Sequence, residues 1–141
     1  MATRSAIGIK HGDVIKGIYA HWDGYVECNG IILDEHYRDS VKVNKLVSLG
    51  DLSSLGTDIG EKQDFNQPTD QDWCLFYGRD RGEQGVEFRT FQTEDEFVDH
   101  FDGMGAEYYY IYDSGVWYVK SYKSDFQPLH ELIEELGLEG A

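Results

Sequence analysis

Residues 21–25, His-Trp-Asp-Gly-Tyr, place an imidazole, an indole, a carboxylate and a phenol directly after the apolar run of residues 14–20. An imidazole beside an aromatic face suits stacking on a base or gripping a phosphate. A plain strand-to-helix junction explains part of the stretch, because Asp23 can cap a following helix and Gly24 can adopt a left-handed turn. His21 and Trp22 then need another account, either burial at the strand end or contact with a ligand, to which Tyr25 can add its hydroxyl. His21 and Asp23 are the pair weighed as metal ligands, and the five histidines are scattered without metal-site spacing, so no metal centre is expected.

Two further groups carry chemistry. Arg4 and Ser5 open the first apolar run, and a tight hairpin across residues 11–13 brings Arg4 beside residues 20–21. A guanidinium, a hydroxyl and an imidazole would then converge at one end of a sheet, although an Arg4–Asp23 ion pair accounts for part of that grouping. In the stretch of residues 77–85, Arg79 and Arg81 flank Asp80. This pattern fits either a self-paired, solvated turn or a guanidinium clamp for phosphates and carboxylates. Tyr108, Tyr110 and Tyr112 alternate with Tyr109 and Ile111, which predicts one core face and one exposed tyrosine row. No glycine-rich loop ending in Lys and Ser or Thr, no GxSxG and no HExxH is present. The residues therefore nominate no catalytic group and no cofactor.

Charge narrows the partners. The 141 residues hold 12 Lys and Arg against 27 Asp and Glu, a net charge of −15. The excess is zero over residues 1–50, −9 over 51–100 and −6 over 101–141. Such a field repels DNA, RNA and anionic membranes, and it attracts proteins whose basic surfaces hold nucleic acid. Glu94, Asp95, Glu96, Asp99 and Asp102 in one predicted helix, with Glu131, Glu134 and Glu135 in another, are the candidate contacts. Charge kept for solubility alone is the competing explanation. Apolar runs long enough to span a bilayer are absent, as is a leader-type stretch, and Cys28 and Cys74 lack CxxC spacing. The expectation is a cytoplasmic chain with two reduced thiols and no membrane partner.

The elements that must position these groups alternate between short strands and short helices. Residues 4–20 predict a hairpin, and residues 27–37 and 39–50 predict helices, the second capped by Asp39 or Ser40 and ended by Gly50. Residues 50–56 read as one helical turn, and 57–72 as a long polar surface loop. Residues 73–77 and 86–91 read as strands around the Arg79–Arg81 turn. Residues 93–101 predict a helix with a Thr93–Glu96 capping box. A second hairpin turns at Asp113, Ser114 and Gly115, and a last helix carries Pro128 in its first turn with Leu129, Leu132, Ile133 and Leu136 as its stripe. The sum is one α+β domain over residues 1–141, an antiparallel sheet of about six strands built from hairpins with helices packed over it.

The motifs ATRSAIGI, GIYAHWDGY, EHY, LGDLSSLG, FYGRDRGE and WYV, in that order from Ala2 to Val119, resemble a group of small uncharacterised proteins of tailed bacteriophages and prophages. The resemblance implies a context in which small acidic proteins bind and disable a host machine, and it supplies no catalytic residue. Three readings follow. The first is a non-enzymatic inhibitor that docks its acidic half on a basic, nucleic-acid-handling host protein. The second is a nucleotide-binding sponge with Arg4, His21, Trp22, Arg79 and Arg81 lining the pocket. The third is a small-molecule hydrolase or transferase. Homo-oligomer formation is compatible with each.

Overall fold

A computed structural model describes residues 2–68, 70 and 72–138. Strands β1 (Arg4–His11) and β2 (Val14–Ala20) form the expected hairpin, with Ser5 opposite Ala20 and His11 opposite Val14. Period-two alternation sends Ile7, Ile9, Ile18 and Ala20 into one apolar cluster and Ala6, Ile15 and Tyr19 into the other. A hairpin buried on both faces lies inside a sheet, and its two outer edges need partners from elsewhere in the chain.

Those partners are β6 (Ala106–Asp113), which runs parallel to β1, and β3 (Leu52–Ser54), which runs parallel to β2 at Ala20. β5 (Arg89–Phe91) pairs antiparallel with the earlier part of β2, while β4 (Leu75–Phe76) continues outward from β3. On the other side β7 (Val116–Ser121) forms the second expected hairpin with β6, and β8 (Gln127–Pro128) closes the edge. Among the described residues the sheet is eight-stranded and mixed, so the antiparallel, six-stranded expectation is corrected. Local periodicity marks which runs are extended, but the parallel pairings join segments far apart in sequence, Ala20 with Leu52 and Ser5 with Tyr108, and leave no local signal.

Helices cover both faces. On one side lie a π-helical turn (Val26–Gly30), α1 (Ile31–His36), α2 (Ser40–Ser48) and α5 (Leu129–Glu135), packed with Leu33, Val43, Leu46, Val47, Leu129 and Ile133 against Ile7, Ile18 and Tyr110. On the other, α4 (Glu94–Asp102) lays Phe97 and Phe101 over Ala6, Ile15 and Tyr109. Gly8 and Gly17 face each other across the hairpin, and a Cβ on either would approach the Phe97 ring to 2.9 and 2.6 Å. The paired glycines open the recess that seats that ring.

Several local expectations are revised. Within residues 50–56, Leu52–Ser54 form β3 and there is no helical turn, because the end of β2 needs a partner and Leu52 and Leu55 are buried. Residues 73–77 and 86–91 do not pair with each other. The stretch between them is helix α3 (Tyr77–Arg81), stopped by Gly82 in the left-handed conformation. Glu96 reaches back to the backbone N–H of Gln92, one residue before Thr93, while Thr93 accepts from Glu96 N as expected. Pro128 sits one position before α5, and Leu136 of the predicted stripe is 53% exposed. The tyrosine row is buried on both faces, with Tyr109, Tyr110 and Tyr112 all in the core. Of the loop over 57–72, Thr69 and Gln71 lie outside the described residues, and Ile59 and Gln63 are buried.

Candidate functional site

The sequence motifs meet at one corner. Where β2 ends, His21 N donates to Leu52 O and Trp22 N to Ser53 O, so the chain through His21 and Trp22 extends the pairing with β3. Gly24 N donates to Thr3 O, and Tyr77 N donates to Asp51 O. The segments around residues 3–5, 19–25, 51–54 and 76–81, far apart in sequence, are therefore stitched together by backbone hydrogen bonds.

On the α4 side of that corner the side chains form a chain of contacts. Tyr19 and His21 share a strand face, and Tyr19 Oη lies 2.7 Å from His21 Nδ1. The His21 ring meets Trp22 edge to face, with centroids 4.8 Å apart. Arg4 lies one step beyond the Ser5–Ala20 pair, and its charge reaches both Tyr19 and His21. Burial first, then Arg4, pushes His21 below the ordinary imidazole value. Burial pushes Tyr19 up against the opposing effect of Arg4, so the phenol keeps its proton. A buried hydroxyl hydrogen needs an acceptor, and Nδ1 is the one it has among the described residues. With Tyr19 Oη as the donor to Nδ1, the neutral imidazole carries its proton on Nε2, for which the described residues supply no hydrogen-bond partner.

The surroundings leave this donor accessible. Trp22 is 43% exposed, and Arg4 is exposed with one hydrogen bond, from Nη1 to Met104 O. Beneath them Asp51 is buried and accepts from Tyr19 N at 2.9 Å and from Arg89 Nη1 at 2.7 Å. Burial raises Asp51 despite Arg89 and the Tyr19 N–H. Tyr77 lies close enough to influence Tyr19, and Arg81 stacks over both Tyr77 and Phe65. The corner thus offers a cation, an imidazole and a partly exposed indole.

Other nominated residues have different positions. Ser5 points to the opposite side of the sheet from Arg4, where its Oγ is buried and has no hydrogen-bond partner among the described residues. A Cβ on Gly24 would come within 2.6 Å of Ser5 Cβ, so Ser5 serves the close packing of the Gly24 turn. The left-handed residue is Asp23, at φ 58°, and not Gly24. Asp23 makes no side-chain cap. Its carboxylate takes a 3.4 Å contact from Tyr25 Oη, and its carbonyl accepts from Asn29 N. The Arg4–Asp23 ion pair does not form. Arg79 is no clamp for a ligand: it bonds Asp80, Ile59 O and Cys74 O and lies over the Phe76 ring. Arg81 pairs with Glu83 at 2.8 Å.

The acidic candidates divide between the two layers. Glu94, Asp95, Glu96, Asp99 and Asp102 are exposed on α4, while Glu131, Glu134 and Glu135 are exposed on α5 across the sheet. Glu134 is engaged with His130 Nε2 at 3.0 Å. Among the described residues no group of three or more His, Cys, Asp or Glu side chains could hold a metal, and no helix is long and apolar enough to cross a membrane.

Sequence reasoning missed Tyr19, Asp51, Tyr77 and Arg89. Tyr19 was accessible to it, since residues two apart on a strand share a face. Asp51, Tyr77 and Arg89 come from segments whose pairing partners lie far along the chain. No family model matches the chain, and neither a curated protein nor a solved structure does.

Proposed function

We propose that this protein is a non-enzymatic binding protein that sequesters a nucleotide-class ligand, an aromatic ring carrying phosphate or carboxylate, at the Arg4–His21–Trp22 corner. The observation that supports it is the 2.7 Å contact between Tyr19 Oη and His21 Nδ1, which, as a hydroxyl donation, puts an Nε2–H beside the exposed Arg4 and Trp22. Arg4 and the imidazole would hold the anionic group while the indole stacks on the ring. In the context implied by the phage resemblance, the ligand would be a defence signal of cyclic or ADP-ribose type.

A thermal-shift panel of such nucleotides tests this reading. A stabilising ligand whose effect is lost in both Arg4→Ala and Trp22→Ala supports it, and a shift retained in both refutes it. Product formation on prolonged incubation would move the protein to the hydrolase or transferase class.

A second reading keeps the acidic docking surface, on the observation that no Lys or Arg pairs with the five exposed carboxylates of α4 among the described residues. It ranks lower because the α4 and α5 charges face opposite ways and cannot meet one partner surface together. Binding to a basic host protein that persists after neutralising Glu94, Asp95, Glu96, Asp99 and Asp102 would remove it.

A further inference from the structure

The opposite end of the β1–β2 hairpin holds two adjoining clefts beside α2. One, of about 300 Å³, is lined by Lys16, Asn44, Lys45, Val47, Ser48 and Phe88. The other, of about 480 Å³, includes Lys10, His11, Ser40, Ser114 and the same Asn44. His11 Nε2 and Asn44 Oδ1, 2.8 Å apart, fix the seam between them.

The charge pattern here runs against the rest of the molecule. With 27 carboxylates in 141 residues, about one residue in five is acidic, yet none lines either cleft. Elsewhere Lys42, Arg79, Arg81 and Arg89 each have a carboxylate within 4.0 Å. Lys10, Lys16 and Lys45 have none among the described residues, and Lys16 Nζ instead lies 5.3 Å from the Phe88 ring centroid. Keeping two lysines unpaired in one cleft of a chain at −15 leaves a local positive potential that an anion can fill. No arginine lines the cleft, and lysine acts as a point charge suited to phosphate, whereas bidentate carboxylate recognition calls on arginine. Phe88 and Val47 supply an apolar wall, and the larger cleft supplies hydroxyl, amide and imidazole groups for a polar body.

We infer that the Lys16–Lys45 cleft is a second binding site, separate from the Arg4–His21–Trp22 corner, for a small phosphate-bearing molecule whose phosphate sits between the two ammonium groups. The surrounding acidic field sets its selectivity. A compact phosphate can enter the cleft, while a long nucleic-acid backbone also meets the carboxylates that give the chain its net charge of −15.

Inorganic pyrophosphate, titrated into the ¹⁵N-labelled protein and followed by NMR, is the probe. The expected result is saturable shifts at the Asn44, Ser48 and Phe88 amides at or below about 1 mM, weakened at least about tenfold in the Lys16→Gln/Lys45→Gln double variant. Lys16→Arg/Lys45→Arg should retain binding, and Arg4→Ala should leave it unchanged. Absent shifts, equal shifts in the Gln double variant, or shifts confined to residues 4 and 19–22 would each overturn the inference. Because Arg4→Ala is scored separately, failure of the nucleotide reading and failure of this one give different results.

Discussion

Arg79 and Arg4 both stand in conspicuous motifs, and they do opposite work. Arg79 has its donors committed to Asp80, Ile59 O and Cys74 O, and its side chain is 13% exposed. Among the described residues Arg4 makes one side-chain hydrogen bond, to Met104 O, and faces solvent. What separates a structural arginine from a binding one is how many of its donors the fold has already used. Arg79 holds the loop over 57–72 to α3, with help from Asp80, which accepts from Gln63 N and Phe76 N. Among the described residues Arg4 leaves most of its fork unfilled, at a corner where His21 Nε2 also has no partner.

Breaking the first region should have the largest effect. Arg79→Ala leaves Asp80, whose side chain is fully buried, without its cation, and should cost about 3–5 kcal/mol in urea unfolding. A loss under about 1 kcal/mol would mean the loop does not depend on this pair. Asp51→Ala comes next, since it frees the Tyr19 N–H and Arg89. It should cost about 2–3 kcal/mol, with Asp51→Asn closer to wild type because the amide oxygen still accepts.

The pH dependence sharpens the second region. His21 is lowered in the folded protein, so the unfolded chain binds the proton more readily. Its contribution to stability is full above the unfolded value of about 6.5 and is lost as pH falls through the folded value. His21→Gln should flatten the fall in urea midpoint below that pH. An unchanged profile would show that His21 is not held neutral. At the small end, Arg4→Ala and Trp22→Ala should change stability by no more than about 0.5 kcal/mol while removing ligand response. Ser5→Ala should be close to neutral, because it deletes a buried hydroxyl that has no partner among the described residues.

Much of the fold is legible in local sequence. The two hairpins, α2 with its Asp39 cap and α4 with its Thr93 cap all follow from alternation, turn residues and capping chemistry. β3 was not, since a three-residue strand is shorter than any reliable period and forms only because β2 has an open edge. Arg4, His21 and Trp22 were legible as a group because one hairpin register places them. The exclusion of Arg79 was not, because the carbonyls of Ile59 and Cys74 that occupy it become neighbours only once the loop has folded over α3. Likewise, the separation of the acidic helices depends on which face each one covers, and their own sequences look alike in that respect.

The central claim is most directly tested by titrating the protein with ADP-ribose and cyclic nucleotides while monitoring tryptophan emission and the His21 ring protons by NMR. The account predicts that one of these ligands perturbs Trp22 and His21 together, saturably, and that Arg4→Ala abolishes the response while Arg81→Ala leaves most of it. Silence across the panel, or a response that survives Arg4→Ala unchanged, would contradict it.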